Sequence, residues 1–257
     1  MSNLADRICA GGWPGLMDQP INSALPTIRG YLKEIGRVDL ERVDGTRRDL
    51  AGVERLLRSL ARNTATYATN ATLAADSDPA NPLDDETVRS YLGALERLMV
   101  VEDQPPWAPD LRSRSRLRSR SKRHFVDPSL AAAALRLTPE RLLDDLRLMG
   151  FLFESLVVRD LRVYAQAADA EVLQYRDNTG LEVDAIVEAA DGRWAAFEVK
   201  LGPHQVDMAA TSLLRLADRV NTERIGKPQM LGVITGFGYG YMRRDGVAVI
   251  PIGALGP

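Results

Sequence analysis

The feature that most restricts this chain is a change of pattern at about Thr138. Upstream, Val53, Leu56, Leu57 and Leu60, and then Val88, Leu92, Leu95 and Met99, recur at helical spacing. Downstream, a long helix at about 139–167, capped by Thr138 with Pro139 in its first turn, leads into three β-prone segments, EVLQYRD, LEVDAIVEA and RWAAFEVKL. A helix at about 205–220, the apolar strand MLGVITG and a last strand in GVAVIPIG follow. The order α-β-β-β-α-β plus an edge strand predicts a mixed sheet with helices packed on it.

The upstream half reads as helical. Asn3 is placed to cap a short helix that Gly11-Gly12 ends, and a second runs from about Leu25 to Gly36 with Pro26 in its first turn. Residues 49–102 give a helix, a short helix in ATLAAD, the polar connection SDPANP, a third helix capped by Asp84 or Asp85, and the β-prone LMVVED. That is the order of a winged helix-turn-helix. The stretch LRSRSRLRSRSKRHFVD then reads as a ribbon or wing with one wet face, the alternative being a free basic arm. The expected divisions are a helical segment over 1–48, a winged-helix-like domain with a basic ribbon over 49–137, and an α/β domain over 138–257.

With 257 residues, 45% of them hydrophobic and 26% charged, the chain is long enough to bury a core. Its net charge of −2 argues against a protein that coats nucleic acid. Charge is uneven, however: Arg112, Arg114, Arg116, Arg118, Arg120, Lys122 and Arg123 form a basic run suited to phosphates. A single cysteine, Cys9, excludes an intramolecular disulfide and a Cys-based zinc site, and the two histidines, His124 and His204, lie far apart. His204 reads as a surface-loop residue, and Trp107 as packing against the winged helix. The start has no signal-peptide pattern, and no apolar run approaches the ~20 residues of a membrane span, so a cytoplasmic protein is expected.

Chemistry is suggested at four positions. Glu154 is the lone charge in LMGFLFESLVV, where an unpaired carboxylate near a core costs several kcal/mol (roughly) and calls for a cation; the bland reading is a glutamate that snorkels to solvent. In AAFEVKL the side chains of Glu198 and Lys200 share one strand face, with Phe197, Val199 and Leu201 on the other, toward the core. If Ala190-Asp191-Gly192 is a three-residue loop, pairing 189 with 193 sets Asp184 opposite Glu198; a two-residue loop pairs 184 with 199 instead. Two acidic oxygens, a backbone carbonyl such as that of Val199, and waters suit Mg²⁺ or Mn²⁺. Lys200 is then placed to offset charge on a phosphate. The alternative is a cross-strand salt bridge on a solvated sheet face. Without metal the carboxylates repel, so loss of Asp184 is expected to raise the melting temperature.

RDNTGLEVDAIVE followed by FEVK, with FLFESLVVRDL upstream, resembles the PD-(D/E)xK phosphodiesterase superfamily. More narrowly, it is similar to the domain-of-unknown-function family at the C-terminal half of certain prokaryotic AAA-type ATPases. ARNTATYATNATLAAD, TVRSYLGALERLMVVEDQPPW and KRHFVDPSLAAAAL resemble that family's winged-helix region, and GGWPG the segment after its ATPase module. The resemblance implies a restriction-endonuclease-like mixed sheet, with Asp184 and Glu198 as metal ligands, Lys200 as the catalytic lysine and Glu154 as the helical acidic residue. Arg176, Asp177 and Gly180 match its R-D-x-x-G stretch. No G-x-x-x-x-G-K-[ST] loop is present, so no ATP site is expected in this chain, and a separate AAA-type ATPase is the implied partner. Three functions follow: a Mg²⁺- or Mn²⁺-dependent nuclease holding DNA on the ribbon, a non-catalytic module binding nucleic acid or a partner, and a detached regulatory half of an ATPase.

Overall fold

In the computed structural model, which describes residues 1–46, 48–109 and 120–256, side-chain caps fix most helix starts. Two compact units form, Met1–Asp103 with Arg123–Ser155, and Gln104–Lys122 with Leu156–Pro257.

The first unit holds α1 (Ser2–Ala10), α2 (Ile21–Glu34), α3 (Leu40–Asp44), α4 (Leu50–Arg62), α5 (Asn70–Ser77), α6 (Asp85–Arg97), α7 (Pro128–Ala134) and α8 (Pro139–Leu143). Asp49, Thr69, Asp84, Asp127 and Thr138 each accept a hydrogen bond from a first-turn N–H. Asn3, expected as a cap, instead lies inside α1, where its Oδ1 accepts from Arg7 Nε at 2.9 Å. Pro26 lies inside α2 rather than in its first turn, because the helix already begins at Ile21. The order α4, α5, α6 and a two-stranded sheet of β1 (Val101–Gln104) and β2 (Lys122–Phe125) follows the sequence reading. Between those strands, Arg112, Arg114, Arg116 and Arg118 lie outside the described residues. The GGWPG turn is a packing device. Gly11 has φ 70°, and a Cβ there would lie 2.4 Å from Ser129 Oγ. Gly12 N–H donates to Asp127 Oδ2 at 2.9 Å, and Trp13 Nε1 donates to Ser129 Oγ at 2.8 Å.

The single helix expected at 139–167 is two. α8 stops at Leu143, and α9 (Leu146–Ala167) starts afresh where Asp145 Oδ1 accepts from Leu148 N–H at 3.0 Å. Residues of α9 up to Ser155 belong to the first unit and those from Leu156 to the second. No helix among the described residues is long and apolar enough to cross a membrane.

The second unit is a mixed six-stranded sheet in the order β3-β4-β5-β6-β8-β7. Its strands are β3 (Ala170–Arg176), β4 (Glu182–Ala189), β5 (Trp194–Lys200), β6 (Met230–Thr235), β7 (Tyr241–Met242) and β8 (Ala248–Pro251). The first three form an antiparallel meander; β5, β6 and β8 run parallel. A parallel pair needs a crossover, which α10 (Val206–Arg219) supplies, followed by the short α11 (Thr222–Ile225). Val206, Ala209, Ala210, Leu213 and Leu216 of α10 share one apolar cluster with Leu181, Val183, Ile186, Trp194, Ala196, Val233 and Val249. The strand in GVAVIPIG is not the edge: the unforeseen β7 pairs outside it.

The β4–β5 hairpin closes through Ala189 N–H to Arg193 O at 2.8 Å, with Gly192 at φ 84°. The three-residue loop is therefore the one formed, and the ladder runs Glu188↔Trp194 to Ala185↔Phe197. The R-D-x-x-G stretch shapes the turn into β4: Asp177 Oδ1 accepts from Thr179 N–H and Leu181 N–H, Arg219 pairs with Asp177 Oδ2, and Gly180 takes φ 85°. Trp107 packs in this sheet's apolar cluster, not on the winged helix. Its ring centroid lies 4.9 Å from that of Trp194, and its Nε1 donates to Glu188 Oε1 at 3.0 Å. Gly232 of β6 is paired with Phe197, and a Cβ there would sit 2.8 Å from Phe197 Cδ1. Gly232→Ala is therefore expected to cost about 1–3 kcal/mol by overpacking; urea unfolding of the variant measures it, and an unchanged midpoint would refute the close contact.

Candidate functional site

The site begins with an irregularity in the ladder between β3 and β4. Leu173 pairs with Ile186, but Tyr175 pairs with Val183, so Asp184 and Ala185 together oppose Gln174. This is a β-bulge, which reverses the alternation of β4 and re-aims a side chain. The reversal is visible in the core, where Val183 and Ile186 both join the apolar cluster although they are three residues apart. Gln104 fills the gap. Its side-chain amide donates to the carbonyls of Leu173 and Asp184, each at 3.0 Å. The following residues fasten to the same place: Gln174 N–H donates to Pro105 O at 2.9 Å, and Trp107 N–H to Gln174 O at 2.6 Å.

On β5, Glu198 is paired with Val233 and Lys200 with Thr235. By alternation Glu198 and Lys200 share the face of Trp194 and Ala196, just beyond the α10 cluster. Phe197 and Val199 face the other way and are also buried. The expectation of one buried face on β5 fails because this strand is central and partly parallel, the setting in which sheets are covered on both sides. The register places Asp184 one step beyond the Ala185↔Phe197 pair, opposite Glu198. There Asp184 Oδ2 takes the Val199 N–H at 2.9 Å.

Asp184, Glu198 and Lys200 come together. Lys200 Nζ lies 3.1 Å from Asp184 Oδ2 and 2.5 Å from Glu198 Oε2. A fourth charge was misread from sequence. Lys122, expected on a DNA-binding ribbon, is 3% exposed, and its Nζ lies 3.3 Å from Asp184 Oδ1. A buried ammonium tied to a carboxylate offers nothing to an external phosphate, so Lys122 belongs to this site and not to a nucleic-acid surface. Arg120 is exposed, and its carbonyl accepts from Gln174 Nε2 at 3.0 Å. Val199 contributes its N–H to Asp184. Glu154 is buried on the part of α9 that belongs to the first unit. His204 is a surface residue of the turn before α10, whereas His124 is buried with its Nδ1 2.9 Å from Ser155 Oγ.

Electrostatics separate the two carboxyls. Burial works to raise that of Asp184, but Lys122, Lys200 and the Val199 N–H outweigh it and hold it well below the usual range. Burial and then the Asp184 charge push Glu198 the other way, to about 9, against the pull of Lys200. Burial opposes the Lys200 charge, yet the two acids hold its ammonium above the ordinary value. Two carboxyls forced to divide one proton are a fit for a cation, which would relieve the repulsion. Two carboxylate donors with the remaining positions left to carbonyl and water suit Mg²⁺ or Mn²⁺. Among the described residues no group of three His, Cys, Asp or Glu side chains is placed to hold a metal. Thr235, in register with Lys200, is buried and its Oγ1 has no hydrogen-bond partner. Sequence reading passed over it, although it is the polar residue of an apolar strand. Gln104 had no sequence signal at all.

This network reverses the expected stability effect at Asp184. Removing it takes a carboxylate partner from buried Lys122, one of two from Lys200, and the acceptor of the Val199 N–H, so Asp184→Ala should cost about 3–5 kcal/mol rather than stabilise. Glu198 is the member whose charge is opposed. A carboxyl raised from 4.5 to about 9 on folding adds stability that is whole below the lower value and is lost as pH rises through the higher one. Glu198→Gln should therefore melt higher than the parent protein at about pH 8, with the difference shrinking toward about pH 4. Thermal unfolding across that range checks both; a gap that does not vary with pH would show that Glu198 stays ionised.

Residues 1–141 match the family described as Domain of unknown function (DUF8612), and residues 149–255 match Domain of unknown function (DUF4143). No curated protein and no solved structure matches the chain. The first match spans more than half of the sequence and takes in helices α1 to α7 and the two-stranded sheet; the second takes in the whole six-stranded sheet with Asp184, Glu198 and Lys200. The chain belongs to the family Domain of unknown function (DUF8612), and its residues 149–255 are similar to Domain of unknown function (DUF4143).

Proposed function

We propose that the second unit is a PD-(D/E)xK-like, metal-dependent phosphodiesterase whose substrate is DNA. The observation that carries this reading is the cluster of Asp184 and Glu198, both buried on adjacent central strands, with the half-buried Lys200 within hydrogen-bonding reach of each. A solvated cross-strand salt bridge requires neither burial nor a bulge. Mg²⁺ or Mn²⁺ held by Asp184, Glu198 and the Val199 carbonyl would polarise a phosphoryl oxygen and acidify a water. Asp184 is kept ionised and so remains a ready ligand at neutral pH. Lys200, kept as an ammonium between the two acids, supplies positive charge as it builds on the phosphate. Glu154 enters by its resemblance to the helical acidic residue of the motif. The arginines 112–120 would grip the DNA backbone, and a separate AAA-type ATPase would control access, as the resemblance implies.

A second reading, a non-catalytic regulatory module that binds nucleic acid or a partner and works with a separate ATPase, is favoured by one observation. Lys122 lies against Asp184 and Lys200 lies between Asp184 and Glu198, so both carboxyls have cationic partners without a metal.

The two readings part on metal binding and cleavage. On the first, calorimetry should show Mn²⁺ binding that Asp184→Asn removes. The parent protein should nick plasmid DNA with Mn²⁺, and Lys200→Ala should slow cleavage by about 10²–10³-fold with little change in DNA affinity. Absence of both Mn²⁺ binding and cleavage, with and without an added ATPase half, would decide for the second.

A further inference from the structure

A second charged constellation lies in the first unit. Helices α2 and α4 both pack on α7, and near the end of α7 they leave a cavity of about 180 Å³. Arg29 and Lys33 of α2, Arg58 of α4, and Arg136 just after α7 line it, with Glu54 as the one acid. Leu32, Leu57, Ala133 and Ala134 form an apolar wall. None of the four cations makes an ion pair among the described residues. Arg29 donates from Nη2 to the Leu137 carbonyl at 3.1 Å, while its buried Nε has no partner. Arg136 adopts φ 54°, a left-handed conformation that costs an arginine roughly 1 kcal/mol or more.

The simplest account is attraction of cations to the C-terminal end of α7. Its magnitude falls short, because a helix terminus carries roughly half an elementary charge, against four cations offset by a single carboxylate. Forks of arginine N–H groups around a concave site match a compact oxyanion. The volume is below the roughly 300–1,000 Å³ of pockets for drug-sized ligands, which leaves room for a phosphate on a small organic group. We propose that this cavity is a binding site for a small phosphomonoester, its phosphate held by Arg29, Lys33, Arg58 and Arg136 and its organic part against Leu32 and Leu57.

Calorimetry on the full chain with ribose 5-phosphate, inorganic phosphate and ribose tests this. Ribose 5-phosphate should bind saturably, inorganic phosphate more weakly, and ribose not at all. Lys33→Gln and Arg58→Gln should each weaken ribose 5-phosphate by about tenfold. Arg136→Gly separates binding from folding: it should lower affinity while raising the melting temperature of the ligand-free protein, since glycine accepts the left-handed conformation. Ribose 5-phosphate affinity unchanged in these variants, inorganic phosphate bound as tightly as the ester, or binding only of a DNA oligonucleotide would each overturn the proposal.

Discussion

Asp184 is the residue on which the geometry of the charged cluster depends. One of its oxygens accepts the Val199 N–H and the Lys200 ammonium, and the other accepts Lys122. The first of these bonds takes up a backbone donor at the point where the β4–β5 ladder stops. The second fixes Lys200 toward Glu198. A buried carboxylate is stable only while its partners are in place, so the same bonds that settle its charge also set the end of the strand.

The bulge explains how a carboxylate reaches that position. A regular β4 would keep one parity from Leu181 to Ile186 and turn one of those apolar side chains away from α10. The extra residue lets both ends of β4 face the α10 cluster while Asp184 turns toward β5. Such an irregularity exposes carbonyls that need donors, and the Gln104 amide supplies two hydrogen bonds at once. Gln104 and Lys122 thus serve the second unit although they come from the strands that flank the basic run. Their contribution is to satisfy groups that the sheet alone leaves unmatched.

The charge balance also redistributes the roles of the two acids. By composition Asp184 and Glu198 are equivalent carboxylates. In place, one has three donors and stays ionised, while the other has Lys200 and a neighbouring negative charge and is driven toward protonation. Environments that split two titratable groups are how sites prepare distinct chemical roles. The cavity beside α7 shows the complementary situation, in which four cations gather around a single acid, Glu54.

The sequence by itself determined the elements and their order. Capping residues, helical spacing and the β-prone runs are local signals, and they located α4, α6, β3, β4, β5 and α10 within a few residues. Gly192 marked the hairpin turn but suits a two- or a three-residue loop, so the Ala189–Arg193 closure of the folded hairpin settled the approach of Asp184 to Glu198. Tertiary structure alone decided what depends on partners distant in sequence. It broke the helix after Leu143, put β7 outside β8, covered both faces of β5, and recruited Lys122 and Gln104 to Asp184 across intervals no local period encodes. Lys122 was misleading for that reason: in the sequence it is one more cation in a basic run, and only burial against a carboxylate distinguishes it from its neighbours.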